Sequence, residues 1–429
     1  MARFWWSNRA DSSGIHWISW DHICSHFSDG GLGFRVLEDF NLALLAKQLW
    51  RLLRFPDSLL SRILKGRYFR YSSPLEISVS NRPSYGWRSL LASKAVLKHG
   101  IRKTIGSGFN TFIWTDPWIP DSPPRPPIGI TGDRNPLVCV NTLIDPVSKT
   151  WRMEKLRELF PPQEIALIMG INPSLNRSRD GYSWSATKSG NYTVKSGYEV
   201  ARTLSRPACD LPFQGPCVTA LQAQKARNKK LFENKEESPQ DTVDKAVLEA
   251  ELWHQANNQV VSTSVGEIRG DLRPLPCDSL VCFIDGSWME ADARSGHGWI
   301  ASTGEHDILL GLKCSPRSLS PLHSELDTLL WAMKCLIAHS VDKVIVATYC
   351  QDLVTMLAQG EDWPAFGSEI RDFSFLQHSF SEFSIRHIPR SWNFRADKLA
   401  KCARVRGFCF SHVGQSVPAW LSLEENQFR

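Results

Sequence analysis

Apolar and polar positions follow three rhythms along the chain. Leu42, Leu45, Leu49, Leu52 and Leu53 recur at three- and four-residue steps, which predicts a helix packed along one apolar stripe. Gly30-Gly31-Leu32-Gly33 ahead of it predicts a turn, because glycine accepts backbone angles that other residues avoid. Tyr182-Ser183-Trp184-Ser185 and Gly190-Asn191-Tyr192-Thr193-Val194 alternate as two strands joined by the turn Lys188-Ser189-Gly190, a small β-hairpin. Ser238-Pro239-Gln240-Asp241 has the makings of a helix start, and Val243, Val247, Ala250 and Trp253 would share one face of that helix.

From Leu280 the rhythm becomes strand, strand, strand, helix, strand, helix. Val281–Ile284, Gly298–Ala301 and Ile308–Leu310 suit a meander of three strands. Leu322, Leu326, Leu329, Leu330, Met333, Leu336 and Ile337 then form a full apolar helix face. Val344–Ala347 and Phe383–His387 are two further strands, and a last helix begins near Ser391 and carries Asp397. This order predicts an α/β domain over 278–411, a mixed five-stranded sheet flanked by helices. Before it the chain reads as mainly helical and loosely packed over 1–120. A proline-rich connector follows within 121–217, then a charged helix and linker over 218–277; a tail occupies 412–429.

Composition narrows the class. The 429 residues suggest two or three domains at about 150 residues each. With 42% hydrophobic and 22% charged residues, neither disorder nor a membrane class fits the whole. No apolar run approaches the ~18 residues that span a bilayer, and Met1–Trp6 opens no apolar secretory segment. The 11 cysteines form no C-x-x-C pair, so reduced thiols in an intracellular, non-secreted protein are expected, with nucleus and cytoplasm both open. The basic Lys225–Lys230 run is too short and interrupted to decide between them. Charge is lopsided: of the formal +6, residues 1–277 carry +10, 278–411 carry −3 and 412–429 carry −1. A basic front half suits a polyanion, and Arg51, Arg54, Lys65, Arg67 and Arg70 alternate there with Trp50, Phe55, Tyr68 and Phe69. The plainer reading of that mixture is solvated arginines beside a core.

Three acids stand where chemistry would need them. Asp285 ends the first strand before a glycine, Glu325 lies early in the long helix, and Asp397 lies early in the last one. Carboxylates at a strand end and helix starts supply the oxygen ligands that Mg²⁺ or Mn²⁺ takes, and a pair of such ions assists phosphodiester hydrolysis.

Phe283-Ile284-Asp285-Gly286-Ser287-Trp288, Ser320-Pro321-Leu322-His323-Ser324-Glu325 and Trp392–Ala400 resemble the plant RNase H type-1-like domain that closes the polyprotein of non-LTR (LINE-type) retroelements. Gly30–Arg35, Phe40–Gln48 and Ser84–Ser89 resemble the segment after the polymerase in the same elements. Tyr182-Ser183-Trp184, Lys188–Tyr192 and Ser196-Gly197-Tyr198 resemble the lead-in to their zinc-binding region. The resemblance implies an RNase H-like fold and a metal-dependent ribonuclease acting on the RNA strand of RNA–DNA hybrids. Asp285, Glu325 and Asp397 would be the catalytic and metal-holding acids, with His387 or His323 assisting.

The chain departs from that pattern three times. It holds no Tyr-x-Asp-Asp polymerase string, so no reverse transcription is expected. After Tyr198 only Cys209 and Cys217 remain of the zinc ligands before Lys225, so 121–217 ends in a zinc-region remnant without zinc. The spacing His22-x-Cys24-x-His26 is no substitute. The family's third carboxylate is replaced by Tyr349 in Thr348-Tyr349-Cys350-Gln351-Asp352, with Asp352 about one helical turn beyond. A neutral phenol is a poor Mg²⁺ ligand, so impaired catalysis is expected. The alternatives are a non-catalytic nucleic-acid-binding module and an inactive retroelement remnant. No membrane partner is expected, and no pattern sets the oligomeric state.

Overall fold

A computed structural model describes residues 18–25, 31–70, 72–77, 83–130, 134–176, 178–205, 248, 279–304 and 306–418. Gly30, His26, Cys209, Cys217, the basic 225–230 run, the 257–277 linker and the helix expected from Ser238 (apart from Leu248) lie outside the described residues. The longer helices and the strands of the front part are α1 (Leu37–Arg54), α2 (Leu59–Tyr68), α3 (Tyr85–Ala92), α4 (Lys94–Gly100), β1 (Ile101–Thr104), α5 (Met153–Leu159), α6 (Pro162–Met169), β2 (Gly181–Trp184) and α7 (Val194–Ser205). The rear part holds β3 (Val281–Ser287), β4 (Arg294–Thr303), β5 (His306–Pro316), α8 (Pro321–Ala338), β6 (Lys343–Thr348), α9 (Gln351–Ala358), α10 (Gly367–Gln377), β7 (Glu382–His387), α11 (Phe394–Val405) and β8 (Phe410–Gly414). The chain divides into two compact units, residues 1–45 with 198–271 and residues 46–197 with 272–429.

In the first unit, Tyr198 is the pivot. Its hydroxyl accepts from Val36 N at 3.0 Å and its ring meets Phe40 edge-on at 6.4 Å. Arg202 donates to the Cys24 carbonyl at 3.1 Å, and Ser205 donates to Asp39 Oδ2 at 3.1 Å.

In α1 the buried face is Ala43, Ala46, Leu49, Trp50 and Leu52, whereas Leu42, Leu45 and Leu53 of the expected stripe are only half-buried. The helix is apolar over more than one face, so two alanines join Leu49, Trp50 and Leu52 in the close contact. Beyond residue 45, Lys47 Nζ donates to the Tyr192 carbonyl at 2.5 Å and Trp50 Nε1 to Asn191 Oδ1 at 3.2 Å. Of the aromatic–basic mixture of this region, most rings are packed inward, whereas Phe55 is exposed. Trp50 and Phe69 are buried, and Tyr68 and Phe69 both stack on the buried Trp87, at 4.8 and 5.6 Å.

The expected hairpin does not form. β2 pairs antiparallel with the distant β1, Trp184 opposite Ile101. Residues 191–193 lead instead into α7, whose start is fixed by Thr193 Oγ1 accepting from Ser196 N at 3.1 Å. Between the two strands the chain packs on its own core of Ile113, Trp118, Val140, Leu143, Leu156 and Ile168. The proline-rich stretch belongs to this body and is not a connector. Ile119 bridges to Arg125, whose guanidinium forks onto the buried Glu164 at 2.6 and 3.2 Å. The loose packing expected for the front region is therefore overturned for this part.

Asp180 ties the loop after β1 to the start of β2. Its two oxygens accept from Gly106 N, Gly108 N, Asn110 N and Thr111 Oγ1 at 2.8–2.9 Å. Asp180→Ala strands four donors at once, and a loss of about 3 kcal/mol is expected. Thermal melting of the full chain checks this, with Asp180→Asn (one carbonyl oxygen retained) falling in between.

The rear sheet has the order β7-β6-β3-β4-β5-β8. Central β3 is antiparallel to β4 and parallel to β6; β5 and β7 extend the sheet on either side. This is the expected mixed sheet with one addition. A sixth strand, β8, pairs antiparallel with β5 and runs across the boundary where a tail was expected. One face packs Ile284, Trp299, Leu326, Met333 and Phe373 beneath α8, α9 and α10. The other packs Ile300, Leu310 and Leu312 against Leu399 and Ala403 of α11. α8 starts sharply because Ser320 Oγ accepts from His323 N at 3.3 Å and Pro321 takes the first helical position.

Candidate active site

Glycine is what brings the three acids to one end of the sheet. A Cβ on Gly286 would stand 2.6 Å from the Ser324 carbonyl carbon and 2.7 Å from Glu325 N, so only glycine lets β3 meet the first turns of α8. On the opposite face, a Cβ on Gly298 would stand 2.6 Å from Ala396 O and from Ala400 N, so α11 lies directly on β4. The first contact sets Asp285 beside Glu325, and the second carries Asp397 to the same end.

Asp285 and Glu325 are both buried. Burial, together with the field of neighbouring Asp397, pushes Asp285 up to about 7. Burial and the charge of Asp285 push Glu325 well above the ordinary carboxyl range. Tyr349 sits among the acids: its phenol favours the charged form of both Asp285 and Glu325, and burial, with the charges of these acids, raises its own pKa. Glu325 Oε2 is buried and has no hydrogen-bond partner.

Three positioning side chains were not foreseen. Asn393 is buried, and its Nδ2 donates to the Ile284 carbonyl at 2.9 Å and reaches Asp285 Oδ1 at 3.5 Å. Arg390 lies 5.3 Å from the centre of the Tyr349 ring and 3.5 Å from Asp397 Oδ1; Lys401 donates to Asp397 Oδ2 at 2.6 Å. Lys401 was legible as an i+4 partner of Asp397 on one helix; Arg390 was not, because its approach depends on the turn before α11.

The histidines divide. His387 ends β7, with Nε2 3.0 Å from the Tyr349 carbonyl oxygen. His323 is no helper: it is buried, stacks on Phe366 at 4.1 Å, faces Ser320 Oγ through Nδ1 at 2.8 Å, and burial lowers it to about 3. Asp352, in the first turn of α9, pairs with Lys188.

The ligand set implied for a divalent cation was Asp285, Glu325 and Asp397. Among the described residues no group of three or more His, Cys, Asp or Glu side chains stands together so as to hold a metal ion. Asp397 is taken by two cations, and Tyr349 stands beside the other two acids. These residues do not fit a two-ion cradle. A separate cavity of about 690 Å³ is lined by Trp151, His297, Lys313, Asp327, Trp331 and Glu369 among others, and by none of the three acids. Its carboxylates are satisfied: Asp327 accepts from Ser318 at 2.7 Å and Asn172 at 2.8 Å, and Glu369 from Ser368 at 2.9 Å.

A family model described as reverse transcriptase-like matches residues 283–403, the span holding all three acids. An uncharacterized mitochondrial protein of Arabidopsis thaliana is 49% identical over 129 residues, 30% of this chain and 84% of that protein. The chain belongs to the family of that mitochondrial protein. The membership carries no activity with it, because that relative is itself uncharacterized. A putative ribonuclease H protein of the same plant is 26% identical over 204 residues, 46% of this chain. The chain spans 32% of that second relative. Among solved structures, RNase H1 from the halophilic archaeon Halobacterium salinarum NRC-1 is 23% identical, covering 29% of this chain and 96% of its own, at a TM-score of 0.27. No helix among the described residues is long and apolar enough to cross a membrane.

Proposed function

We propose that this is a retroelement-derived protein whose RNase H-like module binds nucleic acid, with RNA–DNA hybrid as its ligand, and whose hybrid-cleaving activity is disabled or severely weakened. The observation that carries the reading is Tyr349, which stands in the field of Asp285 and Glu325 at the position where the resembled family has a carboxylate. Asp285, Glu325 and Asp397 are the remnant of the catalytic and Mg²⁺- or Mn²⁺-holding set. Arg390 and Lys401 supply, from the chain itself, positive charge beside Asp397. The relative described as a putative ribonuclease H protein supports the lineage. In the same reading residues 1–217 descend from the post-polymerase and zinc-binding parts of a plant LINE-type polyprotein, zinc having been lost with its ligands.

Recognition would rest on backbone and 2′-hydroxyl contacts, with the +10 of residues 1–277 adding general attraction for phosphate. Fluorescence anisotropy of the full chain on a labelled RNA–DNA hybrid tests this. The affinity is expected to fall at least tenfold between about 50 and 200 mM salt, through release of counterions. Absent binding, or an affinity indifferent to salt, overturns the reading.

A further inference from the structure

Positive charge is concentrated in one strip of the module. Residues 386–406 hold seven basic side chains and a single acid, Asp397, whereas the rest of 278–411 holds six basic and 15 acidic ones. Ion pairs absorb part of the excess: Arg395 pairs with Asp307, Arg404 with Asp292, and Arg390 and Lys401 share Asp397. One carboxylate between two cations leaves the strip positive, the complement of a phosphate backbone.

Within the strip two large rings face solvent, Trp392 at 48% and Phe394 at 50% exposure. They flank Asn393, the buried residue whose amide contacts β3 at Asp285. Both rings therefore stand at the rim of the acid site, with Arg390 two residues before the first. Neither stacks on another ring among the described residues. Exposed rings beside a polycationic strip are the elements that bind unpaired nucleotides, since a base offers its face for stacking only when it is out of a duplex.

We propose that Trp392 and Phe394 form a stacking ledge for unpaired bases, so that the preferred ligand is a hybrid carrying a single-stranded extension beside its duplex. The inference rests on the hybrid-binding reading and narrows its substrate class. Arg390 and Lys401 contribute phosphate attraction, and the two rings contribute the discrimination between paired and unpaired strands.

The test uses the full chain with a blunt RNA–DNA hybrid and the same hybrid bearing a 3′ extension with 2-aminopurine, a base whose fluorescence falls on stacking. The extended hybrid is expected to bind about tenfold more tightly per stacked base, with quenched 2-aminopurine emission. The double substitution Trp392→Ala, Phe394→Ala is expected to abolish both the preference and the quenching, and to leave blunt-hybrid affinity within about twofold. Arg390→Gln is expected instead to reduce the salt slope for both ligands. The quenching is read on the natural chain, so it holds even if a variant misfolds. Equal affinity for the two hybrids, unquenched emission, or a preference that survives the double substitution sinks the ledge and leaves hybrid binding standing. A natural chain that binds neither hybrid sinks both readings. If the double substitution alters only self-association, the rings are a protein contact and the ledge is wrong.

Discussion

Tyr349→Asp is expected to raise Mg²⁺-dependent cleavage of an RNA–DNA hybrid by about a hundredfold over the natural chain, equivalent to about 2.7 kcal/mol of barrier. The substitution removes the phenol that stands beside Asp285 and Glu325 and adds an anion at the end of β6. Four neighbouring carboxyls without a cation repel one another, so without metal the variant should melt at a lower temperature than the natural chain. Added Mg²⁺ should restore its stability, because a ligand that binds only the folded state stabilises it by mass action. The natural chain should show neither metal-dependent melting nor comparable turnover. Gel analysis of labelled RNA, run beside a melting series in metal, reads both. Equal cleavage by the two chains would show that Tyr349 is no obstacle.

Gly286→Ala is expected to lower the stability of the full chain by about 3 kcal/mol, at the upper end of what overpacking costs. The added methyl meets backbone at 2.6 Å, and neither β3 nor α8 can yield by a rotamer change. The strand and helix must separate, carrying Asp285 away from Glu325. Gly66→Ala is the contrast. Gly66 lies inside α2 with nothing within 4 Å of an added Cβ, so the same change should stabilise by about 0.5–1 kcal/mol. Opposite signs in one melting experiment would establish that close approach sets the cost at Gly286; two losses of equal size would not fit.

Much of the rear sheet was legible because its strands and the apolar face of α8 are dense, local patterns. Val281–Ile284, Val344–Ala347 and Phe383–His387 fall within β3, β6 and β7. β8 was missed because an edge strand of five residues ending in glycine has little pattern of its own and exists through pairing with β5. The front region failed for the same physical reason on a larger scale. Trp184 looked like half of a hairpin, but its partner Ile101 lies about eighty residues upstream, a pairing no local rhythm reveals. Prolines 123–127 read as a connector, whereas Arg125 in their midst is held by Glu164. At the site, Asp285, Glu325 and Tyr349 stand within one another's fields as their motif strings imply. Asn393 and Arg390 were beyond reach, since each acts across a fold contact with a residue distant in sequence.

Manganese binding tests the central claim most directly. Mn²⁺ can be titrated into the natural chain and into Tyr349→Asp, with free ion followed by its paramagnetic resonance signal. The natural chain is expected to leave the ion in solution at concentrations where the variant takes it up. Stoichiometric uptake by the natural chain, as tight as that of the variant, would contradict a site in which a tyrosine stands in the place of a metal-holding carboxylate.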